Sequence, residues 1–147
     1  MLEWVLPNNG TQTIEDYDPA DTIDTCPFCY ENIKKRVVEK LSSVVAIEDK
    51  FAVSDGHLLI IPNRHCADYF ELTKQEREDV DNLLKILKKQ ILHRYPSVTG
   101  FNIGMNCGDS AGQTISHAHI HLIPRRDGDT PNPRGGVRGV IPHKMGY

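Results

Sequence analysis

The chain has no apolar run approaching the ~18 residues that a membrane-spanning helix requires, and no concentration of basic charge. The first absence excludes a helical membrane protein. The second argues against nucleic-acid binding, which needs a focused basic face, whereas here the formal charge is −3. Aromatics are sparse at 7%, with a single Trp, and there are only four cysteines in 147 residues. That is too few for a disulfide scaffold. The start, Met1 to Pro7, lacks the basic region and apolar core of a secretory signal, so a cytoplasmic location is expected. What remains is ordinary for a globular domain with a core of its own: 39% hydrophobic and 25% charged residues.

Composition shifts twice along the chain. Residues 1–25 carry Glu3, Glu15, Asp16, Asp18, Asp21 and Asp24 but no Lys or Arg, and read as an irregular acidic segment. Residues 127–147 open on a Gly- and Pro-rich loop and read as a tail. Between them, 26–126 forms the body. Arg36–Glu39 and Val44–Ile47 look like a hairpin, His57–Pro62 like a third strand, and Phe101–Asn106 and His117–Ile123 alternate with period two. Val80, Leu83, Leu84, Leu87, Ile91 and Leu92 recur at helical spacing, which predicts a helix over about 73–95. Thr73 and Glu76 supply a capping box, and Lys88, Lys89, His93 and Arg94 suit its negative end before Pro96 stops it. The expected fold is α+β: a five-stranded antiparallel sheet in meander-like order with one long helix packed on it.

The run His117-Ala118-His119-Ile120-His121 carries most of the chemistry. On a strand the three imidazoles share one face and Ala118, Ile120 and Leu122 the other, so the apolar set meets the core while the histidines line a cleft. Near neutral pH an imidazole keeps a lone pair for attack without an activating base, provided a hydrogen-bonded group fixes which nitrogen is free. A three-histidine metal site is the rival reading of this spacing, but it leaves Cys26-Pro27-Phe28-Cys29 without a part. That pair by itself reads as metal-binding or redox-active, and no βαβ pattern surrounds it to favour redox chemistry.

The run continues into Leu122-Ile123, and His-x-His-x-His followed by two apolar residues resembles the histidine triad family of nucleotide hydrolases. Phe51–His65, ending in Pro-x-x-His, and Gly100–Thr114, before the triad, are similar to the corresponding family stretches, as is the tail from Asn132 to Pro142. The resemblance implies that His119 attacks the α-phosphorus of a nucleotide to give a covalent nucleotidyl-histidine, that His121 stabilises charge on the phosphate, and that His57 fills a fourth histidine position. It implies nucleotide contacts from Asp49 on the ribose and from Asn106, Gly112, Gln113 and Thr114 around the phosphates. Read without the family, Asp49 is equally a turn residue and the glycine-rich loop a turn builder. The resemblance to zinc-binding bacterial members further implies a structural Zn2+ on Cys26, Cys29, His65 and His117.

The implied activity is release of AMP from diadenosine polyphosphates or adenosine phosphoramidates. Nucleotidyltransferase relatives carry Gln at the third triad position, so His121 favours water as final acceptor. The alternatives are a transferase or a zinc-stabilised nucleotide-binding protein with little turnover. Family members are homodimers that pair around residues 101–106 into an extended sheet, and Trp4 and Tyr147 are candidates to reach the partner. No nucleic acid or membrane partner is expected. Arg125, Arg126, Arg134 and Arg138 are either further phosphate contacts or simply solvated, and Cys66 and Cys107 have no assigned role.

Overall fold

A computed structural model describes residues 25–147. The acidic segment and Trp4 therefore lie outside the described residues, apart from Thr25. The elements are α1 (Tyr30–Ile33), β1 (Val37–Leu41), β2 (Val44–Glu48), β3 (Leu58–Pro62), α2 (Lys74–Arg94), β4 (Val98–Gly104) and β5 (Ile120–Arg126), joined by short 3-10 turns. All five strands pair antiparallel in one sheet.

β2 and β3 are continuous apolar runs and are buried almost throughout, as strands covered on both faces are. Val44, Ala46, Leu58, Ile60, Ile120 and Leu122 face Leu83, Leu87 and Ile91 of α2. Val45, Ile47, Leu59 and Ile61 face the other way, onto Cys26, Phe28, Cys29 and Ile33. The sheet is thus covered on both sides, by the long helix on one and by the Cys26–Ile33 segment on the other. Leu92 is off the helix's buried line, one residue or about 100° round from Ile91, and is 38% exposed.

Two expectations are corrected. The order is β1-β2-β3-β5-β4 rather than a meander, because α2 carries the chain across the sheet and β5 returns between β3 and β4. Burial decides the placement: β5 alternates buried positions, whereas β4 is mostly half-buried or exposed and suits an edge. The triad also does not lie wholly on a strand. The ladder with β3 begins at Ile120, so only His121 is on β5. Upstream of it, the Pro62 carbonyl accepts from the His117 ring instead of from backbone, and Ala118 N–H donates to Cys66 O at 2.7 Å.

The capping box forms as expected: Thr73 Oγ1 accepts from Glu76 N–H at 3.1 Å and Glu76 Oε1 accepts from Thr73 N–H at 2.8 Å. Arg64 also donates to the buried Glu76 carboxylate, at 2.8 and 3.2 Å. Burial pushes the Glu76 pKa up, but the bonds from Arg64 and Thr73 outweigh it and hold it below the ordinary 4.5. A depressed carboxylate stabilises the fold above its unfolded pKa and loses that contribution as pH falls through the folded one. Since Arg64 is 49% exposed, screening weakens its half of the interaction. Glu76→Gln is therefore expected to cost about 1–3 kcal/mol at neutral pH, with the gap to the parent closing below about pH 4. Urea melts across that range check this, and a gap independent of pH contradicts it.

Candidate active site and metal cluster

Hydrogen bonds fix the tautomers of the catalytic candidates, starting at His57. Its Nδ1 accepts from Val53 N–H at 3.1 Å, so the neutral ring carries its proton on Nε2. That proton faces His121 Nδ1 at 2.9 Å. His121 then accepts at Nδ1 and keeps its own proton on Nε2, which makes Nε2 a donor for a ligand. Asp49 Oδ2 lies 3.3 Å from His57 Nε2 and 3.8 Å from His121 Nδ1, and Oδ1 accepts from Phe51 N–H at 2.9 Å. Asp49, His57 and His121 place donor atoms within 4.8 Å of one another, close enough to share an ion. With Nδ1 already an acceptor, however, His57 must keep its Nε2 proton, and a metal there would demand an imidazolate. The group reads as a hydrogen-bond chain. Burial lowers the pKa of both rings, against the pull of Asp49, and keeps them neutral at pH 7.

His119 is 8% exposed, and its Nδ1–H donates to the carbonyl of His117 at 2.8 Å. A carbonyl can only accept, so the Nε2 lone pair is left free. The sequence pointed to the need for an orienting group, but that group is backbone and leaves no signature in residue types. Burial, with a smaller contribution from His121, pushes the His119 pKa down to about 4, so the lone pair is present at neutral pH. The Phe28 ring stands edge-on to His119 with centroids 5.0 Å apart, and His121 lies at 5.4 Å. Phe28 is a contact that sequence reasoning treated only as a spacer between cysteines.

On the far side of His117, its Nε2–H donates to Pro62 O at 2.8 Å, which leaves the Nδ1 lone pair aimed at Cys26 Sγ (3.5 Å) and Cys29 Sγ (3.7 Å). His65 Nδ1 lies 3.3 Å from Cys29 Sγ. The four expected ligands are thus brought together, with donor atoms all within 4.8 Å. A small tetrahedral ion with two S and two N ligands sets those atoms about 3.3–3.8 Å apart, so the residues fit a metal. Cys66 stays outside the cluster, its thiol pushed by burial up to about 11 and so unreactive near pH 7.

Before the triad, Gly108 and Gly112 take φ of +92° and +90° at the two ends of a turn, a conformation that disfavours any side chain there. A Cβ on Gly112 would meet Asn106 Nδ2 at 3.9 Å, so Asn106 borders this turn. Thr114 follows it, half-buried. Gln113 is buried at the end of the turn, with its amide bonded to protein. The arginines are engaged as well. Arg125 pairs with Asp129 at 2.8 Å and donates to Asn102, Arg126 donates to Ser97, and Arg134 and Arg138 flank the Tyr147 ring at 5.0 and 4.9 Å.

The family model described as "HIT domain" matches residues 30–128. The chain belongs to the HIT domain family. An uncharacterised HIT-like protein of Mycoplasma genitalium is 33% identical over 109 residues, 71% of this chain and 76% of that one. The asymmetrical bis(5'-nucleosyl)-tetraphosphatase of Schizosaccharomyces pombe is 36% identical over 74 residues, half of this chain and 40% of the enzyme. Among solved structures, a HIT family protein from Bacillus anthracis superposes with a TM-score of 0.66 at 34% identity, covering 74% of this chain and 78% of that one. A Zn-bound histidine triad family protein from Mycobacterium smegmatis has the same fold, with a TM-score of 0.65 at 22% identity over 84% of this chain and 95% of its own.

Replacing both Cys26 and Cys29 by Ser is expected to abolish metal retention by this HIT-domain protein and lower its melting temperature, since binding free energy at such a site is folding free energy. Elemental mass spectrometry of purified protein, with melts in the presence and absence of chelator, reads both. A parent protein that holds no metal, or a double variant that still copurifies with it, contradicts a metal at this cluster.

Proposed function

We propose that this HIT-domain protein is a nucleotide phosphohydrolase, with residues 26–126 as the working domain. The observation that carries the reading is the locked pair of imidazoles: His119 with its Nε2 lone pair free, beside His121 with its proton on Nε2. In the first step His119 Nε2 bonds to the α-phosphorus as the bond to the leaving group breaks. Nδ1–H stays on the His117 carbonyl, which stabilises the positive ring. His121 Nε2–H donates to the phosphate as its charge develops, an effect typically worth about 10²–10³ in rate. Water then attacks the same phosphorus, the P–N bond breaks and the nucleoside monophosphate leaves. Asp49 is taken to hold the ribose hydroxyls, and Asn106, Gly112 and Thr114 to contact the phosphates.

Support comes from the tetraphosphatase relative and from the complete triad. We take the substrates to be diadenosine polyphosphates or adenosine phosphoramidates, and the product AMP. An AP-4-A phosphorylase of Mycobacterium tuberculosis, 31% identical over 96 residues, 63% of this chain and 48% of that enzyme, favours transfer to phosphate as the second reading. We assign zinc to Cys26, Cys29, His65 and His117, where two thiolates and two neutral imidazoles make a closed, uncharged, structural site. A homodimer is supported by β4, whose outer edge carries Ile103, 51% exposed. Cytoplasmic placement fits a thiol pair kept reduced for metal. Among the described residues no helix is long and apolar enough to cross a membrane.

Incubation with diadenosine tetraphosphate, and separately with adenosine 5′-phosphoramidate, is expected to release AMP. His119→Ala is expected to slow this by roughly a thousandfold or more. Chromatography of timed samples reads the rate, and acid quenching followed by peptide mass analysis is expected to find the nucleotidyl adduct on His119. An alanine variant as fast as the parent overturns the proposal.

A further inference from the structure

Gln113 has no donor left for a ligand. A glutamine amide has two N–H groups and one carbonyl oxygen. Here Nε2 donates to Ala67 O at 2.6 Å and to Ile115 O at 3.0 Å, while Oε1 accepts from Gly108 N–H at 2.8 Å. The residue is 5% exposed. Its backbone N–H also donates to Gly108 O at 3.2 Å, so both polar groups of the Gly108 residue are held by one residue.

The three partners belong to three different parts of the site. Gly108 opens the glycine-flanked turn, Ala67 follows the metal-ligand candidate His65 by two residues, and Ile115 leads into the triad. Ala67 is half-buried, with its own N–H donated to the Glu71 carboxylate at 2.6 Å, and its neighbour Cys66 accepts from Ala118 N–H at 2.7 Å, between His117 and His119. A planar amide fixes all three directions at once, which two separate side chains could not do without losing more rotamer freedom.

We propose that Gln113 is a positioning residue, a three-point brace that fixes the Gly108–Gly112 turn to the backbone beside His65 and the approach to His117. It acts on the nucleotide through the turn, not by touching phosphate. Its bearing on turnover rests on the phosphohydrolase reading; its bearing on the turn does not.

The test therefore has two arms, on the full-length chain. Gln113→Met keeps the volume and removes all three bonds, and Gln113→Glu keeps only the acceptor for Gly108 N–H. In the ligand-free protein, amide hydrogen exchange at Gly108 is expected to quicken about tenfold or more in the Met variant, the scale of one lost protecting bond. The Glu variant is expected to protect Gly108 better than Met does. With diadenosine tetraphosphate, kcat is expected to fall in both variants while His119 remains able to form its adduct. Unchanged exchange at Gly108 with a raised KM alone means direct ligand contact and overturns the brace. If the Met variant fails to fold, the Glu variant decides: exchange as slow as the parent's at Gly112 and Ile115 as well as Gly108 refutes the proposal. A parent protein that turns over neither nucleotide substrate sinks the phosphohydrolase reading, and the exchange arm still judges the brace.

Discussion

The hydrogen bond from His119 Nδ1 to the carbonyl of His117 determines whether the centre can do nucleophilic chemistry at all. Were the proton on Nε2, the ring would present a donor to the phosphate and no lone pair. The bond depends in turn on where His117 sits. Its ring is held at one nitrogen by the Pro62 carbonyl and directs the other toward the Cys26 and Cys29 thiols. One residue thus joins the Cys26, Cys29 and His65 group with its side chain and orients the proposed nucleophile with its backbone.

Burial on both faces of the sheet supports this arrangement. Imidazoles exposed to water titrate near pH 6.5, and a ring protonated in part has no lone pair in that fraction. The Cys26–Ile33 segment packs over the histidine face, with Phe28 edge-on to His119, and excludes the water that would sustain a charged ring. The long helix on the other face keeps the strands beneath rigid through Leu83, Leu87 and Ile91. Covering the histidine face is the task of a segment only a few residues long, so the proposed metal on Cys26 and Cys29 would serve the proposed chemistry as well as stability by tying that segment down.

The parts legible in the sequence were those set by local pattern. The capping box of Thr73 and Glu76, the helix face and the five strands follow from residue type and spacing, while the grouping of Cys26 and Cys29 with His65 and His117 came from the family resemblance. The strand order was not legible, because the choice of β5 over β4 as neighbour to β3 depends on total burial across the sheet and not on either strand's own pattern. Nor could alternation show that His117 and His119 precede the ladder, since the diversion there is made by a side chain and a loop carbonyl. The bonds of Gln113 and the contact of Phe28 were hidden because the partners are backbone groups, which carry no residue-type signature, and the His119 ring, far away in sequence.

The same tautomer logic separates two clusters that look alike by composition. At Cys26, Cys29, His65 and His117 the Pro62 carbonyl takes the proton of His117 on the side away from the thiols, and the lone pair converges with sulfur. At Asp49, His57 and His121 the Val53 amide takes the lone pair of His57, and its proton must point inward. One backbone acceptor makes a ligand; one backbone donor makes a proton carrier. Distance alone puts both groups within reach of an ion, but only the first can offer lone pairs to it without giving up a proton from an imidazole ring.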